Sequence, residues 1–161
     1  MEPVRIGVVG CGNIARGLHL PIISILQGAL ELVAVCDINE NLASQTAAKY
    51  GVAYYTDFEK MLQQDVEAVA VLTYAYTHYV LGRMAAQAKK HVLVEKPIAI
   101  TLPCADSLIE ACEKAGVVLE VSENYPFMPI DALINQVCRS GCLGQVAAVY
   151  VTDDLNGISL D

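Results

Sequence analysis

Basic residues are scarce in this sequence, and their scarcity limits the partners that the protein can bind. Lysine and arginine together number 10, against 18 aspartate and glutamate residues, which gives a formal net charge of −8 at pH 7. The only adjacent pair of cations is Lys89-Lys90. Because nucleic acid binds clustered positive charge, we expect no nucleic-acid partner.

Long apolar runs and targeting signals are also missing. No stretch reaches the roughly 18 consecutive apolar residues that indicate a transmembrane helix. The N-terminal sequence MEPVRIGVVG leads directly into a predicted strand and has neither the basic region nor the separate cleavable apolar region of a signal peptide. We therefore expect a cytoplasmic protein that does not contact a membrane.

Patterns that would bind a metal are lacking as well. No pair of cysteines has Cys-x-x-Cys spacing, and no cluster of cysteine and histidine has the spacing of zinc ligands. These observations predict no metal site, and they predict reduced, buried thiols, as is usual in cytosolic proteins. The cysteines are Cys11, Cys36, Cys104, Cys112, Cys138 and Cys142.

Apolar residues are plentiful, at 55% of the chain, and their spacing alternates between two periods. Runs of strand length alternate with segments of helical period, and the links between them are short. This alternation predicts an α/β fold, a doubly wound parallel sheet with helices on both faces. The predicted strands are Arg5–Val9, Glu31–Cys36, Ala53–Thr56, Val66–Thr73, His91–Val94, Val117–Val121 and Gln145–Val151. The predicted helices are about Asn13–Leu26, Glu40–Tyr50, Asp57–Gln63, Thr77–Lys90, Leu102–Ala115 and Ile130–Arg139, with Asp57 and Thr101 as N-caps and Gly51, Gly116 and Gly141 at helix ends.

The alternation is interrupted at the segment Tyr125-Pro126-Phe127-Met128-Pro129. After this segment the sequence predicts one helix, a turn at Gly141–Gly144 and the strand Gln145–Val151. We therefore expect residues 1–125 to form one domain. Residues 126–161 are expected to be a connecting helix and only the start of a second, α+β domain.

The first predicted strand ends in a glycine-rich turn that leads into a helix. The turn has the pattern G-x-G-x-x-A, the dinucleotide-binding fingerprint of Rossmann domains. Its first glycine permits the tight turn, its second lets the backbone approach a pyrophosphate, and its alanine lets the helix pack closely on the strand. The N-terminus of the helix offers free N–H groups to the phosphates. The expected cofactor-binding residues are Gly10, Gly12, Asn13, Ile14 and Ala15.

An acidic residue, Asp37, ends the second predicted strand. It follows the fingerprint at close to the ~20-residue spacing of dinucleotide-binding domains. Its carboxylate can accept hydrogen bonds from the adenosine ribose hydroxyls and would repel a 2′-phosphate. The next residues, Ile38 and Asn39, offer no cation for such a phosphate. The sequence therefore predicts NAD as the cofactor in preference to NADP.

Polar residues recur where the other predicted strands end. Thr73 ends the fourth strand, Glu95-Lys96 follows the fifth and Glu123-Asn124 follows the sixth. Ligands of doubly wound sheets bind at the carboxyl ends of the strands, and core packing does not require charged residues there. These positions therefore support a ligand site at one edge of the sheet.

Residues 90–99, with the sequence KHVLVEKPIA, resemble the Glu-Lys-Pro segment of the glucose–fructose oxidoreductase, inositol dehydrogenase and MocA-type oxidoreductases. The resemblance covers essentially the whole chain. It includes the glycine-rich turn, Cys36-Asp37, Asn124 with Phe127 and Pro129, and Gly141 with Leu143-Gly144. Two positions depart from the family pattern: Tyr74 replaces a proline, and Lys89 replaces the glycine that usually precedes Lys-His-Val.

The resemblance implies roles for several residues. Lys96 would lie between the nicotinamide and the substrate hydroxyl, where its ammonium can hydrogen-bond a developing alkoxide or relay a proton. Glu95 would orient Lys96. For His78 a cofactor contact and a capping or packing role both stay open, whereas His19 and His91 are expected to be structural. Further cofactor contacts are expected from Thr73, Tyr74, His78, Glu95, Lys96, Pro97 and Asn124.

The resemblance also implies an NAD-dependent dehydrogenase of about twice this length that acts on a polyol, a sugar or a related alcohol. In this family a second domain supplies the Asp and His that complete the catalytic site, and no histidine follows His91 here. We therefore expect the chain to be the cofactor-binding half of such an enzyme, with little turnover alone. Two alternatives stay open: a stand-alone NAD-binding or regulatory module, and an NAD-dependent glycosidase of the same family.

The last predicted strand, Gln145–Val151, would have no sheet neighbours in this chain. An unpaired apolar edge recruits another strand, often the same strand of a second copy. We therefore expect a homo-oligomer.

Overall fold

Six parallel strands form one sheet in the computed structural model of the chain, which describes residues 2–145, 147, 148 and 150. The strands are β1 (Val4–Val9), β2 (Leu30–Cys36), β3 (Ala53–Tyr55), β4 (Ala68–Val71), β5 (His91–Glu95) and β6 (Leu119–Ser122). Their order in the sheet is β3-β2-β1-β4-β5-β6. This is the order of a Rossmann fold, and it confirms the predicted α/β class.

A helix follows each strand along the chain. They are α1 (Leu20–Ile25), α2 (Glu40–Tyr50), α3 (Phe58–Leu62), α4 (Ala75–Gln87), α5 (Leu102–Ala115) and α6 (Pro129–Arg139). The segment Ala15–His19 before α1 is π-helical, which the sequence pattern did not predict. Helix α4 begins and ends earlier than predicted, because Tyr74 caps it without a side-chain hydrogen bond and Lys89 is already left-handed.

Both faces of the sheet are buried, which explains why the strands are continuous apolar runs. In β4 and the residue after it, Val69 and Val71 belong to one core cluster, whereas Ala70 and Leu72 belong to another. Alternate residues of a strand face opposite sides, so each cluster lies on one face of the sheet. Helix α5 contributes Leu108 to the first cluster, and truncation of this fully buried side chain to alanine would cost about 2–5 kcal/mol.

The ends of several helices carry the predicted capping residues. The Asp57 carboxylate accepts hydrogen bonds from the backbone N–H groups of Glu59 and Lys60, and the Thr101 hydroxyl accepts one from Cys104. The helix-end glycines are left-handed, with φ of 70° at Gly51, 69° at Gly116 and 76° at Gly141. Among the described residues, Lys89 is the only non-glycine with a positive φ, at 61°.

The chain divides into two compact units between Glu123 and Asn124. The first contains the whole sheet and helices α1–α5. In the described part of the second, a 3₁₀ turn (Tyr125–Phe127) precedes α6, and neither has a buried residue. The predicted strand Gln145–Val151 includes residues 146, 149 and 151, which lie outside the described residues, and it stays a prediction. None of the described helices is long and apolar enough to cross a membrane.

Candidate functional site

The glycine-rich turn follows β1 at the centre of the sheet, between β2 and β4. Gly10 has a φ of 95°, and its N–H donates to the Cys36 carbonyl over 2.8 Å. A Cβ on Gly10 would lie 2.7 Å from the carbonyl oxygen of Leu72. The turn itself therefore requires glycine at this position, whether or not a ligand binds.

Gly12 differs from Gly10, because neither its backbone conformation nor a neighbouring atom requires glycine at this position. Its φ is not positive, and apart from Gly12 and its two chain neighbours no heavy atom of the described residues lies within 4 Å of the place that a Cβ would take. The following helix begins at Asn13, and the N–H groups of Asn13 and Ile14 have no acceptor among the described residues. Free N–H groups at a helix N-terminus, faced by open space, suit a pyrophosphate.

Ala15, the last residue of the fingerprint, is fully buried against the sheet. It belongs to the core cluster that contains Val8 of β1 and Leu20 of α1. Its small side chain lets the helix approach the strand, as the fingerprint predicts.

Asp37 lies directly after β2 and beside the glycine-rich turn. Its Oδ2 accepts a hydrogen bond from the Cys11 N–H over 2.7 Å, and its Oδ1 accepts one from the Asn39 N–H over 2.8 Å. Each carboxylate oxygen keeps a further lone pair, so the fixed carboxylate can still accept hydrogen bonds from ribose hydroxyls. The nearby Arg16 guanidinium donates to Asn13 Oδ1 over 3.2 Å.

The thiols near the turn are chemically inert. Burial raises the pKa of Cys11 to about 11 and the pKa of Cys36 to about 12. Both are therefore neutral at physiological pH and pack as small apolar groups. The expectation of buried thiols is confirmed for Cys11, Cys36 and Cys112 but is wrong for Cys142, which is exposed in the turn after α6.

Lys96 follows β5, and its ammonium is free. Its exposed side chain makes no hydrogen bond or ion pair with any residue in the described part of the chain. Every other lysine contacts a carboxylate, a carbonyl or an aromatic ring: Lys49, Lys60, Lys89, Lys90 and Lys114. A free ammonium at the carboxyl edge of the sheet is available to a ligand.

Glu95, the last residue of β5, contacts the backbone of Lys96 rather than its ammonium. The residue is 8% exposed, and its Oε2 accepts a hydrogen bond from the Lys96 N–H over 2.9 Å. Its Oε1 lies 2.8 Å from Nε2 of His19. His19 was expected to be structural, and its contact with Glu95 was not predicted from the sequence. The spacing of one helical turn between Ala15 and His19 would have placed both on the face toward the sheet.

His78 connects the turn after β4 with the segment after β5. Its ring is 1% exposed, with Nδ1 2.8 Å from the Pro97 carbonyl oxygen and Nε2 3.0 Å from the Thr73 carbonyl oxygen. Both ring nitrogens thus contact backbone carbonyls of the protein. His78 therefore links the backbone of the turn after β4 to the backbone of the segment after β5.

The turn after β4 also presents two aromatic rings. Tyr74 and Tyr76 are exposed and stack with ring centroids 5.7 Å apart and planes 5° from parallel. The Thr73 hydroxyl is 2.7 Å from the Thr77 hydroxyl. Tyr74, which departs from the family pattern, thus forms an exposed surface at the carboxyl end of β4.

The parallel sheet brings most of the predicted site residues to one edge. The glycine-rich turn follows the central strand β1, with Asp37 after β2 on one side and Thr73 and Glu95 after β4 and β5 on the other. Asn124 belongs to the second unit, and its cofactor contact stays a prediction.

The fold and the glycine-rich turn have counterparts in known proteins. The model of a family described as "Oxidoreductase family, NAD-binding Rossmann fold" matches residues 4–123. The D-apiose dehydrogenase of Paraburkholderia graminis is 34% identical over 139 residues, which are 85% of this chain and 36% of that protein. The chain thus spans well under half the length of this relative.

Two crystal structures with bound dinucleotide share the fold. The WlbA dehydrogenase from Bordetella pertussis in complex with NADH and UDP-GlcNAcA has a TM-score of 0.85 at 29% identity, over 88% of this chain and 44% of that one. KijD10, a 3-ketoreductase from Actinomadura kijaniata in complex with NADP and TDP-benzene, has a TM-score of 0.80 at 27% identity, over 86% of this chain and 43% of that one. With the family match over most of its length, this chain belongs to the glucose–fructose oxidoreductase, inositol dehydrogenase and MocA family, whose NAD-binding Rossmann domain it contains.

Proposed function

We propose that the chain is the cofactor-binding half of an NAD-dependent dehydrogenase that oxidises a hydroxyl group of a sugar, a polyol or a related alcohol. The observation that carries this proposal is the free ammonium of Lys96 at the same sheet edge as the open glycine-rich turn. D-apiose dehydrogenase supports a sugar or polyol as the substrate class by its name, and the WlbA structure does so by its bound UDP-GlcNAcA.

The turn and Asp37 would hold the dinucleotide. The free N–H groups of Asn13 and Ile14 donate to the pyrophosphate, and the missing side chain of Gly12 leaves room for it. The Asp37 carboxylate, fixed by the Cys11 and Asn39 N–H groups, accepts hydrogen bonds from the adenosine ribose. When bound, the nicotinamide ring supplies the acceptor for the hydride from the substrate carbon.

Lys96 would act on the substrate hydroxyl. Its ammonium donates a hydrogen bond to the substrate oxygen and stabilises the negative charge that develops as the hydroxyl proton passes to a base, which the family resemblance places on a histidine of the second domain. Glu95 fixes the backbone at Lys96, and His78 contacts the carbonyl of Pro97. The backbone that carries the ammonium is thus held on both sides of the lysine.

Asp37 also supports NAD rather than NADP as the cofactor. Its fixed negative charge would lie where NADP carries its 2′-phosphate, and the neighbouring Ile38 side chain, 96% exposed, offers no compensating charge. The KijD10 complex contains NADP, so membership of the family does not by itself select the cofactor. The preference must come from this chain's own residues.

Calorimetric titration of the purified chain with NADH and with NADPH tests whether the chain binds the dinucleotide and whether it prefers NAD. We expect NADH to bind at least about tenfold more tightly, since an unpaired charge contact of about 1.4 kcal/mol has that effect. Asp37→Ser combined with Ile38→Arg should shift the preference toward NADPH. Asp106→Ser, a change of an exposed aspartate on α5, is the matched control and should leave it unchanged. Equal affinity of the unmodified chain for both cofactors would contradict the assignment of Asp37.

A further inference from the structure

The function proposed above uses the bond of Glu95 to the Lys96 N–H but not the buried contact between Glu95 and His19. The two side chains are each 10% exposed, and Nε2 of His19 lies 2.8 Å from Oε1 of Glu95. A carboxylate withdrawn from water requires hydrogen-bond donors. Glu95 obtains one from the imidazole and one from the backbone N–H of Lys96, and none from the Lys96 ammonium.

His19 belongs to the helix that follows the glycine-rich turn. The N–H of Leu20 donates to the Ala15 carbonyl, one residue farther back than in an α-helix, so that His19 ends a π-helical segment. Such insertions are rare and occur frequently at functional sites. The same helix begins at Asn13, beside the open space at Gly12. The His19 imidazole therefore connects two segments. One is the helix that begins at the proposed pyrophosphate site, and the other is Glu95, the residue before Lys96.

We propose that His19 is a positioning residue for Lys96. Its Nε2–H holds Oε1 of Glu95, so that Oε2 stays on the Lys96 backbone N–H and the ammonium stays free for the substrate oxygen. The binding of a substrate oxygen to the free ammonium rests on the proposed dehydrogenase function. The arrangement of His19, Glu95 and Lys96 does not depend on that function.

Loss of the imidazole has a specific consequence in this arrangement. Oε1 of Glu95 would lose its donor while it remains buried, and an unpaired buried charge is strongly unfavourable. The adjacent Lys96 carries a cation on a flexible stem that can turn toward the carboxylate. The ammonium would then pair with Glu95 and leave the open edge of the sheet.

Competitive acetylation of the intact chain with trace acetic anhydride, followed by peptide mass spectrometry, measures how free the Lys96 amine is. Lys49 serves as the internal reference. We expect His19→Leu to lower the relative rate at Lys96 about tenfold, as pairing with a buried carboxylate withdraws the amine. His19→Gln, whose amide can donate to Glu95, should keep most of the rate. His91→Leu, a change at the opposite end of β5, is the matched control and should have no effect.

A double variant shows whether the effect passes through Glu95. Without the negative charge the ammonium has no reason to turn inward, so Glu95→Gln combined with His19→Leu should restore the wild-type rate. Failure of the double variant to restore the rate would overturn the proposal. Unchanged Lys96 reactivity in a His19→Leu chain that still melts cooperatively would do so as well.

The wild-type chain gives a test that needs no variant to fold. With three histidines in the sequence, long-range ¹H–¹⁵N spectra resolve the tautomer of each ring. We expect a proton on Nε2 of His19, and a ring protonated only on Nδ1 would overturn the proposal. NADH titration of the same sample separates the two hypotheses. A chain that does not bind NADH contradicts the proposed function and leaves the spectrum and the labelling rates to decide the role of His19.

Discussion

Gly10 and Gly12 lie in the same turn but lack a side chain for different physical reasons. At Gly10 the φ of 95° and the Leu72 carbonyl exclude any other residue. At Gly12 the backbone is permissive and the space is open. The first glycine is a requirement of the fold, and the second leaves room for the ligand that we propose to approach the backbone.

Gly12→Val should therefore abolish cofactor binding and leave the fold intact. Its branched side chain fills the space proposed for the pyrophosphate, and calorimetry should show a loss of NADH affinity of at least about 100-fold, or about 2.7 kcal/mol. Valine at a helix start is less favourable than glycine by about 1 kcal/mol, so the melting temperature should fall by only about 2–4 °C.

The matched comparison for Gly12→Val is Gly10→Val. A side chain at Gly10 collides with the Leu72 backbone, so this variant should fail to melt cooperatively. Wild-type NADH affinity in Gly12→Val would show that the open space at the turn is not where the pyrophosphate binds.

Lys89 departs from its family pattern at a backbone position that favours glycine. It has a φ of 61°, and its N–H donates to the Ala86 carbonyl while the next N–H, of Lys90, donates to the Ala85 carbonyl. These bonds close α4 in the manner of a Schellman motif, in which glycine commonly takes the left-handed position. The lysine gains one hydrogen bond from Nζ to the Ala115 carbonyl, on its exposed side chain.

Lys89→Gly should consequently stabilise the chain. Relief of a left-handed non-glycine residue is worth about 1–2 kcal/mol, of which the flexibility of glycine in the unfolded chain removes about 0.5–1 kcal/mol. Thermal unfolding should show a melting temperature higher by about 1–4 °C. Lys90→Gly, at the neighbouring residue without a positive φ, should lower it. A lower melting temperature in Lys89→Gly would mean that the Nζ hydrogen bond outweighs the strain.

At the scale of the elements, the period of the apolar residues was sufficient to predict the order in which strands and helices follow one another along the chain. Buried strands appear as apolar runs, and helices α2 and α5 begin and end at the predicted residues. The π-helical segment Ala15–His19 could not be predicted, because its hydrogen bonds shift by one residue without a distinctive side-chain pattern. The start of α4 was misplaced because no capping side chain marks it.

Residues of the candidate site could be predicted from the sequence where a motif within a single turn or strand end contains them. The glycine-rich turn, Asp37 and Lys96 are of this kind. Contacts between distant segments were not predictable from spacing. The Asp37 carboxylate on the Cys11 N–H, the His78 ring between Thr73 and Pro97, and the His19–Glu95 pair depend on how the sheet orders its strands.

At the scale of the whole molecule, the first unit is complete by the usual rules of an α/β domain. Its six strands have helices on both faces, and the last strand, β6, ends immediately before the division at Glu123. Every described group that we propose to hold the pyrophosphate, the ribose and the substrate oxygen lies in this unit. With the predicted contact of Asn124 kept, binding of the dinucleotide should therefore not depend on the residues after Asn124.

Helix α6 in the second unit has an apolar face that nothing in the described part of this unit buries. Ile130, Leu133 and Ile134 are 57%, 54% and 45% exposed, and their spacing puts them on one side of the helix. Exposed apolar faces of this kind favour association. The net charge of −8 opposes association, but salt screens charge repulsion beyond about 8 Å at physiological ionic strength.

Light scattering over a range of concentrations should therefore show that the whole chain self-associates, whereas a chain that ends at Asn124, and so keeps this predicted cofactor contact, is monomeric and binds NADH with unchanged affinity. Two further chains locate the contact. A chain that ends at Gly144 keeps α6 and lacks the predicted strand Gln145–Val151, so association of this chain assigns the contact to the helix. Leu133→Lys in the whole chain introduces a charge on the apolar face and should then weaken association.

If the chain ending at Gly144 is instead monomeric, the predicted strand carries the contact, by pairing of unprotected edges between two copies. A whole chain that stays monomeric at high concentration would contradict both, because either contact strengthens as concentration rises.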